Sequence, residues 1–284
     1  MKKIGFLGLG LMGSKIAENL LNRNYELVSN KRGQSAELNK KFDKITLVDS
    51  PAEVAATVDL LIVCVDTAEN LYDLVYSDQG VLAANNVPDF IFDLGTGRPS
   101  MIEKISDDLK ARGCVYVDMP IGRTPAHALR GELNLFISST KESLTVNIGI
   151  LKDIAENLIF VKHLGQGTKI KLFNNFYGQA ITLIFGKLLE QGIKVDLDLN
   201  RLLKVMSLGP LHSGIMDAVF PYFDGSDCGN IEFTINNAYK DLVYFKEECA
   251  EDDLLVKMII ALFETAISKG FGEKSVGEVS KYVD

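Results

Sequence analysis

The fold is decided near the start of the chain by residues 3–22, KIGFLGLGLMGSKIAENLLN. An apolar run at residues 4–7 is typical of a buried strand, and the spacing after it is that of a helix. Between them lies a GxGxxG sequence, whose glycines permit a tight turn and let a pyrophosphate approach backbone N–H groups. The stretch therefore predicts a dinucleotide-binding turn. Its predicted cofactor-binding residues are Gly8, Gly10, Leu11, Met12 and Gly13.

Apolar strands alternate with helices through the first half of the chain. The predicted strands are residues 3–7, 25–29, 60–65, 89–93, 115–118, 133–138 and 158–161, and the helices between them include 12–22, 100–111 and 142–155. Such alternation indicates a mainly parallel sheet with helices on both faces. We predict an α/β, Rossmann-type doubly wound domain over residues 1–163.

Only helical patterns follow, and the first of them is unusually long. Residues 165–192 read as one helix, and residues 199–206, 213–220, 236–249 and 254–269 as further helices. We predict an all-α C-terminal domain over residues 164–284, joined through this long interdomain helix, with the functional site in the cleft between the domains.

Composition limits the classes of partner. The 284 residues are 47% apolar and 24% charged, with a net charge of −8, which argues against a nucleic-acid partner. No apolar stretch is long enough for a membrane span, and the N-terminal residues read as structure rather than as a targeting segment. Four scattered cysteines and three histidines form no metal-ligand pattern, so we expect no metal, reduced thiols and a cytoplasmic location. The cysteines are Cys64, Cys114, Cys228 and Cys249.

The end of the second predicted strand bears on cofactor choice. NAD-specific domains usually place an acid there, on the ribose, whereas this chain has Lys31 and Arg32. Both could pair with a 2′-phosphate, so we predict that NADP(H) is preferred, with NAD(H) also accepted. The alternative is a solvated basic turn that does not touch the ribose.

The long helix carries a polar stripe along its apolar length. Lys171, Asn174 or Asn175, Gly178 and Thr182 follow at three- and four-residue steps, and therefore share one face. Periodicity alone leaves two interpretations open. The lysine either extends to water beside closely packed glycines, or it faces a ligand together with the amide.

Four ordered motifs resemble those of the β-hydroxyacid dehydrogenase family, which includes 3-hydroxyisobutyrate dehydrogenases and tartronate semialdehyde reductases. The resemblance covers nearly the whole chain. The motifs are residues 5–13, the segment from Asp93 through Thr96 to Pro99, the segment from Gly165 through Lys171 to Asn175, and Phe233 with residues 240–242.

The resemblance implies roles for several residues. Lys171 would be the general acid/base, and Asn175 would donate a hydrogen bond to the substrate. Val65, Thr96 and Lys240 would lie near the cofactor. The family also implies a homodimer or homotetramer.

Substrate choice is expected at Gly122-Arg123-Thr124, where the family has Ser-Gly-Gly. A guanidinium there could bind a carboxylate, sulfonate or phosphate, together with Asn174 and Asn175. This variant resembles the sulfolactaldehyde reductase branch. The alternative for Arg123 is a salt-bridged surface residue.

The resulting hypothesis is an NAD(P)H-dependent reductase of a small anionic aldehyde, acting in reverse as a hydroxyacid dehydrogenase. Candidate substrates are sulfolactaldehyde, succinic semialdehyde, methylmalonate semialdehyde and glyoxylate. Two alternatives stay open: an imine reductase, and a non-catalytic NADPH-binding sensor or scaffold.

Overall fold

The computed structural model describes residues 3–31, 43–226 and 229–284. The strands are β1 (Lys3–Leu7), β2 (Glu26–Asn30), β3 (Ile45–Val48), β4 (Leu60–Val63), β5 (Phe90–Asp93), β6 (Val115–Asp118), β7 (Ile121–Gly122), β8 (Leu133–Ser138) and β9 (Ala155–Val161). The helices are α1 (Leu11–Asn22), α2 (Pro51–Ala55), α3 (Ala68–Tyr76), α4 (Pro99–Lys110), α5 (Pro125–Arg130), α6 (Ile148–Ile154), α7 (Gln166–Lys194), α8 (Leu199–Ser207), α9 (Gly214–Val219), α10 (Ile235–Cys249) and α11 (Leu254–Ser268). Two sequence-based predictions, for Arg32 and Cys228, fall outside the described residues.

The chain divides into two compact units, Met1–Lys171 and Leu172–Asp284, and α7 runs through the division. The boundary that we placed after residue 163 stays a prediction.

The first unit is built on a six-stranded parallel sheet in the order β3-β2-β1-β4-β5-β6. Alternate residues of its strands enter two apolar cores: Phe6 and Ile62 lie in one, and Leu7 and Leu61 lie in the other. Both faces of the sheet are therefore covered, as a doubly wound fold requires. The fold-class prediction is confirmed.

The structure differs from the predicted sheet at its end. Strands β8 and β9, expected as members of the main sheet, form a separate three-stranded sheet with β7. Strand β7 is antiparallel to β8, which pairs in parallel with β9. The apolar pattern of a single strand does not indicate which sheet the strand joins, because strand pairing depends on contacts with other segments of the chain.

The second unit is helical in its described residues. Its core includes Phe185 and Leu189 of α7, Met216 and Val219 of α9, and Phe220 after α9. Over the described ranges of the whole chain, every helix is too short or too polar to span a bilayer.

Candidate active site

The glycine-rich turn between β1 and α1 has the geometry that its sequence predicts. Gly8 has φ +96°, and a Cβ on it would lie 2.3 Å from the carbonyl oxygen of Cys64. A Cβ on Gly13 would lie 1.9 Å from the Gly8 oxygen. Both positions thus require glycine for packing within the protein.

Gly10 is glycine for a different reason. It is exposed, and a Cβ there would meet no described atom within 4 Å. Gly10 is the N-cap residue of α1, directly before Leu11 and Met12. It has no side chain that could cap the first turn of the helix. The N–H groups of that turn are left for an external acceptor, and the residues present fit a dinucleotide pyrophosphate.

The loops after β4 and β5 adjoin this turn at the carboxyl edge of the sheet. A Cβ on Gly8 would approach the Val65 side chain at 3.2 Å, and one on Gly95 would approach the Val65 oxygen at 3.0 Å. Thr96 follows directly and is half-buried. Strands β1 and β4 flank the point where strand order reverses, which is where nucleotides bind in this fold. The structure thus brings the predicted Val65 and the Gly95-Thr96 loop together with the glycine turn.

A buried carboxylate fixes the loop that carries Thr96. Asp93 accepts hydrogen bonds from the Tyr116 hydroxyl at 2.5 Å and from the Gly95 N–H at 2.9 Å. Burial raises the pKa of Asp93 to about 6, although both hydrogen bonds oppose the rise.

A second buried carboxylate holds the start of α7. Asp118, at the end of β6, accepts hydrogen bonds from the Thr168 hydroxyl at 2.5 Å, the Thr168 N–H at 3.1 Å and the Ser138 hydroxyl at 2.8 Å. The Ser138 oxygen also accepts from the Gly167 N–H at 2.8 Å. Burial raises the pKa of Asp118, and these bonds oppose the rise. The first turn of α7 is therefore tied to β6 and β8.

Lys171 follows this anchored turn by three residues and is half-buried. Asn175 lies one helical turn further, on the same face of α7. Its amide donates to Asp241 at 2.6 Å and accepts from Asn174 at 3.3 Å. Asp241 therefore fixes the orientation of the Asn175 side chain.

Lys240, predicted near the cofactor, is paired within its own unit. Its Nζ lies 3.2 Å from Asp241 Oδ1 and 5.7 Å from the centre of the Tyr244 ring. The structure thus joins Lys240 to the group that orients Asn175.

The Gly122-Arg123-Thr124 turn begins at the last residue of β7. Gly122 is buried opposite Asn134 of β8, and Thr124 bonds to the His127 ring at 2.7 Å. Arg123 has φ +79°, a left-handed conformation that glycine adopts freely and arginine adopts only with strain. Its guanidinium contacts Glu156 and donates to the Glu132 carbonyl at 2.6 Å, so it occupies the salt-bridged position that we gave as its alternative.

Lys31 is likewise paired. Its Nζ lies 2.6 Å from Asp49 Oδ1 at an exposed site, and this hydrogen bond raises the lysine pKa. A 2′-phosphate would compete with Asp49 for this ammonium.

Sequence reasoning missed several residues of these networks. Asp49, Ser138, Thr168, Gln179 and Asp241 were not singled out. Of these, Gln179 could have been found, because it lies four residues after Asn175 on the polar face. The others act through partners distant in sequence.

Comparison with known proteins identifies the family. Residues 3–165 match the family model described as the NAD binding domain of 6-phosphogluconate dehydrogenase. The chain belongs to the β-hydroxyacid dehydrogenase family.

Two curated proteins resemble this chain along most of its length. The 3-sulfolactaldehyde reductase of Escherichia coli K12 is 27% identical over 242 residues, covering 85% of this chain and 81% of that protein. The mitochondrial 3-hydroxyisobutyrate dehydrogenase of Mus musculus is 25% identical over 296 residues, covering 99% and 86%.

A solved structure shares the fold. Psf3 in complex with NADP+ and 2-OPP has a TM-score of 0.86 at 22% identity, with 99% of this chain and 100% of that chain covered. The family match and the curated relatives confirm that the chain is an NAD(P)-dependent oxidoreductase.

Proposed function

We propose that the protein reduces a small aldehyde carrying an anionic group with NAD(P)H, and oxidises the matching hydroxyacid in reverse, with Lys171 as the general acid/base. The observation that supports this most is the anchoring of α7. Because buried Asp118 and Ser138 hold Gly167 and Thr168, the backbone that carries Lys171 is fixed within the nucleotide-binding unit. A proton donor must be positioned in this way to act in a transition state.

The chain's residues bind and orient the cofactor. The N–H groups of residues 10–13 would bind the pyrophosphate, and Val65 and Thr96 would hold the nicotinamide side. Lys31 would leave Asp49 to pair with the 2′-phosphate, which would give a preference for NADP(H) over NAD(H). When bound, the reduced nicotinamide supplies a hydride to the carbonyl carbon of the aldehyde.

Lys171 moves the proton. Its ammonium Nζ donates to the carbonyl oxygen as negative charge develops there, and its amine accepts that proton in the reverse direction. Asn175, held by Asp241, donates its second amide hydrogen to the substrate. Lys240 acts through Asp241 to keep that amide oriented.

The anionic group is held by the Gly122-Arg123-Thr124 turn and Asn174. Backbone N–H groups and the Thr124 hydroxyl of the turn donate hydrogen bonds to the anion, and Arg123 leaves Glu156 to complete the contact. The named relatives support this class of substrate, since one is a 3-sulfolactaldehyde reductase and the other a 3-hydroxyisobutyrate dehydrogenase. We also propose a cytoplasmic homodimer or homotetramer that needs no metal.

The test is the initial rate with sulfolactaldehyde, succinic semialdehyde, methylmalonate semialdehyde and glyoxylate, each with NADH and NADPH. We expect turnover of at least one aldehyde, with a higher kcat/KM for NADPH than for NADH. A Lys31→Ala variant should lower the NADPH rate without lowering the NADH rate. Tight cofactor binding with no turnover of any aldehyde would reject the proposal and favour a sensor.

A further inference from the structure

The C-terminal unit contains a cavity of about 220 Å³, here called the α7 cavity. Its polar wall is one face of α7, formed by Asn174, Asn175, Gln179 and Thr182. The opposite wall is apolar and includes Ile215 and Phe233. The cavity thus pairs a polar face with a hydrophobic one, as small-molecule sites do.

Gln179 is the unusual member of this wall. It is only 5% exposed, and neither its Oε1 nor its Nε2 has a hydrogen-bond partner among the residues that the structure describes. An unpaired buried amide is costly, and native proteins rarely retain one without a partner. Since the amide borders an open cavity, its partner can be a ligand.

The cavity also lacks a counter-ion for a charged ligand. Within the described part of the chain, its lining residues are apolar or carry neutral polar groups. The carboxylate of Asp241, which accepts a hydrogen bond from Asn175, would repel an anion. A carboxylate or sulfonate placed against Gln179 would lose water without gaining a cation from the lining residues.

The hydrogen-bonding groups of the Gln179 amide indicate which kind of ligand group would pair with it. Gln179 offers one acceptor and one donor group in a single plane. A carboxylate can only accept, and would leave Oε1 unpaired. A primary carboxamide or a hydroxyl both donates and accepts, while the apolar wall receives the carbon chain behind it.

We propose that the α7 cavity binds one end of the substrate, that this end is uncharged and carries both a donor and an acceptor, and that Gln179 selects it. The inference rests on the proposed function in one respect, because it takes the ligand that Asn175 contacts to be the substrate. It deepens that function: besides its anionic group, the substrate has a short aliphatic arm ending in a carboxamide or hydroxyl.

The first test is binding of three matched probes to the full-length protein, measured by NMR titration. The probes are butyramide, butyrate and pentan-2-one, which share a carbon chain and differ in the terminal group. We expect butyramide to bind at least about tenfold more tightly than the other two, because each of them leaves part of the amide unpaired.

The matched variants are Gln179→Leu and Gln191→Leu. Both place leucine on α7, but Gln191 is exposed and lies outside the cavity. Gln179→Leu should abolish the preference for butyramide and raise Tm by about 2–4 °C, since it removes an unpaired buried amide. Gln191→Leu should bind as the wild type does.

Three results would overturn the inference. They are equal binding of the three probes, binding of none of them, and a crystal structure with butyramide in which Gln179 bonds only to water or protein groups.

A kinetic test separates this inference from the proposed function. Its substrates are 3-hydroxyisobutyrate analogues whose methyl group is extended by a carboxamide, a carboxylate or a methyl ketone. The carboxamide should have a kcat/KM at least about tenfold higher, and Gln179→Leu should erase the difference through KM. Turnover without discrimination, together with equal probe binding, rejects the cavity and leaves the reaction. A butyramide preference without turnover of any analogue retains the cavity and rejects the reaction.

Discussion

Arg123 combines a strained backbone with an exposed charge, and its two properties can be separated by one substitution. Arg123→Gly relieves the φ of +79°, so we expect the free energy of unfolding to stay the same or rise by about 1 kcal/mol. If the guanidinium binds the substrate anion, KM for an anionic aldehyde should rise about tenfold or more.

The matched control is Arg130→Ala, which removes an exposed arginine paired with Glu132. It should leave KM unchanged. An unchanged KM in Arg123→Gly as well would show that Arg123 serves only the ion pair with Glu156.

Asp93 should give the stability of the protein a distinctive pH dependence. Its pKa is raised to about 6 in the folded state, from 3.8 when unfolded, mainly by burial. The folded state therefore binds more protons than the unfolded state between these values, and the contribution of Asp93 to stability is lost as pH rises through about 6.

The measurement compares urea unfolding of the wild type and Asp93→Asn across this range. The free energy of unfolding of the wild type, minus that of the variant, should fall by up to ~3 kcal/mol from about pH 4 to about pH 7. A difference that stays constant over the range, or rises, would contradict the raised pKa.

At the scale of elements, the hydroxyl of Ser138 joins β8 to α7. Ser138→Ala leaves both the Gly167 N–H and one oxygen of Asp118 without this partner. We expect a loss of about 1–3 kcal/mol in the free energy of unfolding, together with a fall in kcat, because the helix start that carries Lys171 loosens.

Ser139→Ala provides the comparison, since it makes the same change one residue further along the chain. It should alter stability by less than about 0.5 kcal/mol. Equal stability of the two variants would show that the Ser138 bonds do not anchor α7.

Local sequence patterns predicted the elements whose structure depends on residues that are close together in the sequence. The GxGxxG turn could be read directly. The short β3 and the helix α3 carry weak periodicity and were missed. The separate sheet and the anchors at Asp118 and Ser138 depend on partners 12 to 50 residues away, which periodicity does not encode.

For the whole molecule, exposed apolar side chains favour self-association. Ile184 of α7, Val205 of α8, and Leu208 and Leu211 after α8 are each at least 62% exposed. Apolar groups at such exposure are typical of an interface. We expect light scattering to give two or four times the chain mass of 31.3 kDa.

The substitution Leu208→Lys should lower that mass by placing a charge in the interface. Val146→Lys, at an exposed apolar side chain of the first compact unit, serves as the control and should not. A wild-type protein that runs as a monomer would contradict the proposed assembly.

Proton transfer by Lys171 is the claim on which the proposed reaction depends, and kcat of Lys171→Met tests it most directly. Lys169→Met makes the same change at an exposed position two residues earlier on α7. With NADPH and the best aldehyde, we expect kcat of Lys171→Met to fall by about 10²–10⁴, with the Kd for NADPH unchanged and Lys169→Met fully active. A wild-type kcat in Lys171→Met would contradict the account.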